Sequence, residues 1–261
     1  MAGRGAQHAP PAPSRGRSQH FLRSRRLAAE LVHDAGVAAA ESVLEIGAGD
    51  GRLTAELAAV ARHVRAIELD PLLAARLRRR FQGANVTVVE ADAVTLPLPR
   101  EPFRVLANLP FHVTARMLRR LLDDPTELLT AADLIVEWGA ARKRAQTWPS
   151  TLLGVTWGAW FTFAVARRLP AGCFSPRPRV DAGVLSIRRR PLPLVATSDL
   201  QRWRRFVRDG FARPRLRDGL GASVGERELR RLADVYGFRR DAAPRDLDVH
   251  QWAALFRASS P

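Results

Sequence analysis

Cysteine is almost missing from this chain: among 261 residues it occurs once, at Cys173. An internal disulfide and any metal site built from several cysteines are therefore excluded, and no metal is expected. An intracellular address follows from the same scarcity, with the cytoplasm as the expected compartment. Lysine is equally scarce, with Lys143 alone among 42 basic residues. Arginine supplies the rest, a bias that a GC-rich genome also produces, and against 26 acidic residues the net charge is +16. A field of that sign attracts polyanions, and an acidic small substrate would not require so much. Residues 1–20 lack the apolar core of a secretory signal. A clean hydrophobic span is missing too. Residues 145–166 carry no charge and are long enough to cross a bilayer, but Pro149, Ser150, Thr151, Gly154, Thr156, Gly158 and Thr162 interrupt them. They read as a buried helix followed by a buried strand, with no membrane partner. Nothing suggests a nucleophilic triad.

What is present falls into three parts. Residues 1–17 form a Pro/Gly/Ala/Arg arm with too little apolar surface to fold alone, basic enough to touch RNA phosphates. Residues 18–190 alternate strand and helix. Strands are expected at 42–46, 64–68, 86–89, 103–107 and 134–136, and helices at 27–35, 53–62, 71–81 and 113–122. Such alternation predicts a parallel sheet with helices on both faces, closed by a hairpin of 161–168 with 182–188. Pro191 and Pro193 mark a linker, and 191–261 reads as a small basic helical domain with helices at 226–236 and 247–257.

Three strand tips carry chemistry. The first runs Glu45-Ile-Gly47-Ala-Gly49-Asp-Gly51, a glycine turn between strand and helix that lets a ligand approach the backbone. Its spacing differs from the dinucleotide G-x-G-x-x-G fingerprint. The second tip places Glu68 where a carboxylate can bind two ribose hydroxyls. The third places Asp92 and Ala93 where an acid can accept from an adenine amino group. Together they form an adenosine-shaped crevice. Asp50 beside the loop would repel a pyrophosphate, so a ligand without phosphate, S-adenosylmethionine, is expected.

The fourth tip reads Asn108-Leu109-Pro110-Phe111. An exocyclic amine is a poor nucleophile because its lone pair is delocalised into the ring. The Asn108 carbonyl and the backbone carbonyl of Leu109 or Pro110 could each accept one N–H, which favours a more tetrahedral nitrogen. Pro110 stiffens the turn, and Phe111 offers a face on which an unstacked base can lie.

On these motifs the chain resembles the rRNA adenine N6-methyltransferases over about residues 14–190. Ser18-Gln19-His20-Phe21-Leu22 resembles the family's Gln-Asn-Phe element, Glu45-Ile-Gly-Ala-Gly49 its first cofactor motif, and Asn108-Leu-Pro-Phe111 its catalytic motif. Phe174-Ser-Pro-Arg-Pro-Arg-Val-Asp181 resembles the segment joining its two domains. The resemblance implies a Rossmann-like α/β methyltransferase domain with a small C-terminal helical domain, acting as a monomer. It implies S-adenosylmethionine contacts at Gln19, His20, Leu22, Gly47, Gly49, Glu68, Asp92, Ala93 and Asn108. His20 stands where the family commonly has asparagine. Within the family, Val136-Glu-Trp-Gly-Ala-Ala-Arg142-Lys143-Arg144 and Arg179-Val-Asp-Ala-Gly183 resemble the Erm type, which modifies an adenine of 23S rRNA, and Arg142, Lys143 and Arg144 are the candidate RNA grip. The alternatives are a housekeeping small-subunit dimethyltransferase and, from another class, a non-catalytic RNA-binding ribosome assembly factor.

Overall fold

The computed structural model describes residues 20–259. The expected disordered arm at 1–17 and Gln19 lie outside the described residues. In chain order the elements are β1 (Phe21–Leu22), α1 (Arg25–Ala35), β2 (Ser42–Ile46), α2 (Arg52–Val60), β3 (His63–Glu68), α3 (Pro71–Arg80), β4 (Val86–Glu90) and β5 (Phe103–Asn108). There follow α4 (Thr114–Leu122), β6 (Leu129–Glu137), α5 (Trp138–Ala145), α6 (Leu152–Gly158), β7 (Phe161–Leu169), β8 (Phe174–Ser175) and β9 (Ala182–Arg189). The chain ends in α7 (Leu200–Phe211), α8 (Leu216–Val224), α9 (Glu226–Tyr236) and α10 (Val249–Ala258).

Local chemistry sets several of these boundaries. The Asp70 carboxylate caps α3 by accepting from the Leu72 and Leu73 N–H groups, Pro71 occupies the first turn, and Arg78, Arg79 and Arg80 complement the dipole at the far end. Ser24 caps α1 at one end, and Gly36 ends it in the left-handed region. Helix α4 begins within one residue of the expected 113, and a 3₁₀ turn over Phe111–Val113, closed by Val113 N–H donating to Pro110 O at 3.0 Å, leads into it.

The sheet has seven strands in the order β4-β3-β2-β5-β6-β9-β7. The first five run parallel, as the alternation predicts. At one edge β9 runs antiparallel to both β6 and β7, so the expected hairpin supplies the outer strands and makes the sheet mixed. Strand β6 is longer than 134–136, because Leu129–Glu137 pairs with β5 and β9 along its length apart from Thr130, which falls at a register shift.

Side chains alternate across the sheet. Val43, Val64, Leu106, Ile135 and Val184 pack on the face covered by α1 and α2. Leu44, Val105, Leu134 and Val136 face Met117, Leu118 and Leu121 of α4. The second core runs on without a break into the helical part through Trp157, Trp203, Phe206, Trp252 and Phe256. Trp203 Nε1 donates to Thr156 O at 3.0 Å, and Trp157 Nε1 to Asp123 Oδ1 at 2.8 Å, so these two buried indoles are satisfied. The uncharged stretch 145–166 resolves into α6 and β7. No helix among the described residues is long and apolar enough to cross a membrane.

Candidate active site

The parallel strands end on one edge of the sheet, and the crevice outside those ends is where ligands bind in such folds. After β2 the chain turns through Gly47, Gly49 and Gly51, all with positive φ (72°, 58° and 76°). Gly47 and Ala48 N–H donate to Ile67 O at 2.8 and 3.1 Å, which fastens the turn to β3. At Gly49 the lack of a side chain is required twice over. Its φ is left-handed, and a Cβ would lie 2.8 Å from Cε1 of Phe21. Phe21 reaches this point because β1 pairs antiparallel with β8, Phe21 opposite Ser175.

Glu68 ends β3 and is 3% exposed. Its Oε2 accepts from Gly49 N–H at 2.8 Å, and its Oε1 accepts from Leu69 and Asp70 N–H at 2.8 and 2.9 Å. One carboxylate thus binds the glycine turn to the next loop. Asp92 follows β4, and its Oδ1 accepts from Val94 N–H at 2.9 Å. Asn108 ends β5, and its Nδ2 donates to the backbone oxygen of His20 at 2.6 Å. That bond fixes the amide plane and leaves Oδ1 as the free acceptor. The His20 ring donates from Nδ1 to Pro176 O at 2.7 Å and lies 5.9 Å from the Phe111 ring.

These groups enclose a cavity of about 260 Å³. It brings together His20, Gly47, Gly49, Glu68, Asp92, Ala93, Asn108, Leu109, Pro110 and Phe111. Leu22 is not on its wall: the side chain is buried with α1, and its carbonyl accepts from the Arg52 guanidinium. Arg142, Lys143 and Arg144 are also away from it, on α5. Arg142 and Lys143 are exposed, whereas Arg144 is half-buried with its guanidinium 5.5 Å from the Trp157 ring centre. The cavity also includes residues that were not anticipated as site residues, notably Phe21, His112, Arg116, Met117 and Phe174. Arg116 and Met117 fall on the first turn of α4, so their distance from the Asn108 motif could have announced them. Phe174 arrives only through the β1–β8 pairing, which no local pattern announces.

A family model for ribosomal RNA adenine dimethylases matches residues 15–257. The chain belongs to that family. Among curated relatives, the mycinamicin-resistance protein MyrB of Micromonospora griseorubida is 36% identical over 244 residues, covering 92% of this chain and 76% of the relative. An rRNA adenine N-6-methyltransferase of Corynebacterium diphtheriae is 34% identical, covering 80% and 79%. Among solved structures, the 23S rRNA methyltransferase ErmE superposes with a TM-score of 0.82 at 30% identity, covering 91% of this chain and 98% of its own. The dimethyladenosine transferase of Plasmodium falciparum, at 18% identity and a TM-score of 0.74, shares the fold.

Dimethylase-family enzymes use S-adenosylmethionine, and the crevice fits it. A Cβ built on Gly47 meets nothing closer than the Asn108 backbone oxygen at 3.8 Å, so that backbone is open to a ligand. Glu68 and Asp92 offer acceptors, and the two arginines at the glycine turn, Arg52 and Arg80, are already engaged with the carboxylate and the backbone oxygen of Asp50.

Beneath the turn lies Glu45, 1% exposed. Its Oε2 and the hydroxyl of Thr54 have no hydrogen-bond partner among the described residues. Burial pushes the Glu45 carboxyl from an ordinary 4.5 up to about 8, and the nearby Glu68 carboxylate adds in the same direction. The folded chain therefore holds this proton while the unfolded chain has lost it. The resulting stabilisation is full below the unfolded value and is lost as pH rises through the folded one. Glu45→Gln cannot ionise, so its thermal midpoint should pull progressively above the parent's as pH rises from about 4.5 to about 8. A difference between the two that ignores pH would show Glu45 ionised in the folded protein.

Proposed function

We propose that this chain transfers a methyl group from S-adenosylmethionine to the N6 of an adenine in the peptidyl-transferase loop of 23S rRNA, and so confers resistance to macrolide, lincosamide and streptogramin B antibiotics. The observation that carries the reading is the Asn108 amide, locked by His20 so that its oxygen is free at the cavity. In this reading the chain acts as a monomer in the cytoplasm, on rRNA not yet fully assembled. Residues 18–190 form the catalytic part and 191–261 a helical RNA-binding part. The kinship to MyrB and ErmE favours the large-subunit substrate over the small-subunit alternative.

Bound S-adenosylmethionine supplies a methyl already activated by a sulfonium leaving group. Glu68 and Asp92 hold the sugar hydroxyls and the adenine amine of that cofactor, and the glycine turn admits it against the backbone. The target adenine leaves its stack at a cost of a few kcal/mol and lies on Phe111. Asn108 Oδ1 accepts one N–H of its amine. The second acceptor is the carbonyl of Leu109, since the Pro110 carbonyl already accepts from Val113. Positioning of this kind contributes roughly 7–11 kcal/mol in well-oriented systems. After transfer the nitrogen is positively charged and loses its proton to solvent, so no strong base is needed.

Mass spectrometry of rRNA from expressing cells tests the proposal. N6-methyladenine in 23S rRNA with macrolide resistance is expected. Methylation confined to the small subunit would give the housekeeping activity, and failure of the purified protein to bind S-adenosylmethionine would favour the assembly factor.

On α5, Arg142 and Lys143 stand in solvent within this reading's RNA face. Replacing both with glutamine should weaken binding similarly across RNA sequences and flatten the salt slope by about one per lost phosphate contact. Equal affinity and parallel salt lines would place the grip elsewhere.

A further inference from the structure

A second cleft, also about 260 Å³, lies between the end of α5, the loop before α6, β7 and the start of α10. Two arginines line it. Arg144 is half-buried against the Trp157 ring, and Arg190 is half-buried with its Nε donating to Gly158 O at 2.8 Å. Neither is ion-paired with a carboxylate among the described residues. Arg104, Arg167, Arg168 and Arg188, by contrast, are held by carboxylates. Asp248 at the rim directs Oδ1 to the backbone N–H groups of His250 and Gln251. Burial holds both guanidinium groups below the usual arginine range, and for Arg144 the neighbouring Arg119 adds to this. Half-buried guanidiniums held by a carbonyl and a ring but by no carboxylate keep N–H donors with which an anion can be bound.

The cleft is linked to the catalytic cavity by charge. Arg116 lines that cavity, and Arg119 lies one turn further along α4 on the same face. Arg119 is the electrostatic neighbour of Arg144, and Arg144 shares the cleft with Arg190. Hydroxyl groups of Thr147 and Thr162 and the ring of Phe163 complete a wall suited to sugar and base.

We propose that this cleft is a second RNA subsite, in which Arg144 and Arg190 take phosphodiester groups of the strand that carries the target adenine. The proposal rests on the methyltransferase reading for its ligand and extends it by a path from Arg116 to Arg190. A membrane surface would not reach two half-buried guanidiniums in a cleft, and a protein carboxylate would need no aromatic wall.

The test measures binding of the full chain to a transcript of the 23S peptidyl-transferase loop as salt is raised. Arg144→Gln and Arg190→Gln should each weaken binding about tenfold and lower the salt slope by about one. Since both side chains also touch the core, Thr162→Glu serves as the variant that leaves the packing alone. Thr162 is exposed on β7, and the added carboxylate should weaken RNA binding comparably. Affinity for S-adenosylmethionine should stay at the parent value in all three. If the parent methylates the transcript while Thr162→Glu and Arg144→Gln bind it as the parent does, the subsite is overturned and the methyltransferase reading stands. If AMP binds the parent and is lost in the variants while RNA affinity holds, the cleft takes a free nucleotide and the proposal is likewise overturned. A parent that binds the transcript without methylating it would sink the reading of the main site, and the variants' RNA affinities would still decide the cleft.

Discussion

Asn108→Ala should lower methyl transfer at least about a hundredfold, a loss of about 2.7 kcal/mol of transition-state stabilisation. The substitution deletes the acceptor left free at the cavity, and it also frees the backbone oxygen of His20 from its 2.6 Å tie. The two consequences separate experimentally. Loss of the acceptor lowers the single-turnover rate at saturating cofactor, whereas loss of the tie loosens the segment carrying Phe21 and raises the cofactor Kd. Single-turnover methylation of an rRNA transcript and calorimetry with S-adenosylmethionine measure one each. The rate should fall by far more than the affinity. Methylation at the parent rate would remove Asn108 from the mechanism. At the neighbouring position Phe111→Trp should retain more activity than Phe111→Ala, because it keeps a stacking face.

Glu68→Gln should weaken S-adenosylmethionine binding about tenfold or more and lower the thermal midpoint by several degrees. The carboxylate receives three backbone N–H groups, from Gly49, Leu69 and Asp70. A glutamine oxygen can serve Leu69 and Asp70, but its amide nitrogen then faces the Gly49 N–H, donor against donor. Leaving one buried donor unmet costs about 1–3 kcal/mol. At about 2–4 °C per kcal/mol for a chain of this size, the midpoint shift is readily measured. Calorimetry and a melting curve on the same sample test both halves. Unchanged cofactor affinity together with an unchanged midpoint would show that Glu68 neither holds the turn nor the ligand. NAD should bind no form of the protein comparably.

Much of the site was legible because its parts are local. A glycine turn, an acid, a second acid and Asn-Leu-Pro-Phe each follow a strand directly, and the parallel order of β4-β3-β2-β5 brings their tips to one edge. The parts that were missed are those set by long-range pairing. The outer strands have β9 rather than β7 beside β6, which no alternation of residues could reveal. Arg144 reads as one of three equivalent charges, and only the packing of α5 over Trp157 makes it different from Arg142 and Lys143. Helix α8 was hidden by Gly219 and Gly221, weak helix formers. Gly219 is there because a Cβ would lie 2.5 Å from the Asp209 backbone oxygen, so α7 and α8 can approach this closely only with glycine at that position.

The pairing of β1 with β8 has a consequence in time. Phe21 touches the glycine turn, yet its strand partner Ser175 and the carbonyl of Pro176 that fixes His20 lie more than 150 residues downstream. Synthesis proceeds at about 5–20 residues per second, with earlier segments folding first. The turn, Glu68 and Asp92 are therefore made well before the wall that encloses them. A nascent chain stopped short of Ser175 would carry every motif residue of the crevice and still lack its closure. Cofactor affinity measured on chains of increasing length should accordingly rise late, once residues 174–176 have left the ribosome, rather than when Asn108 has.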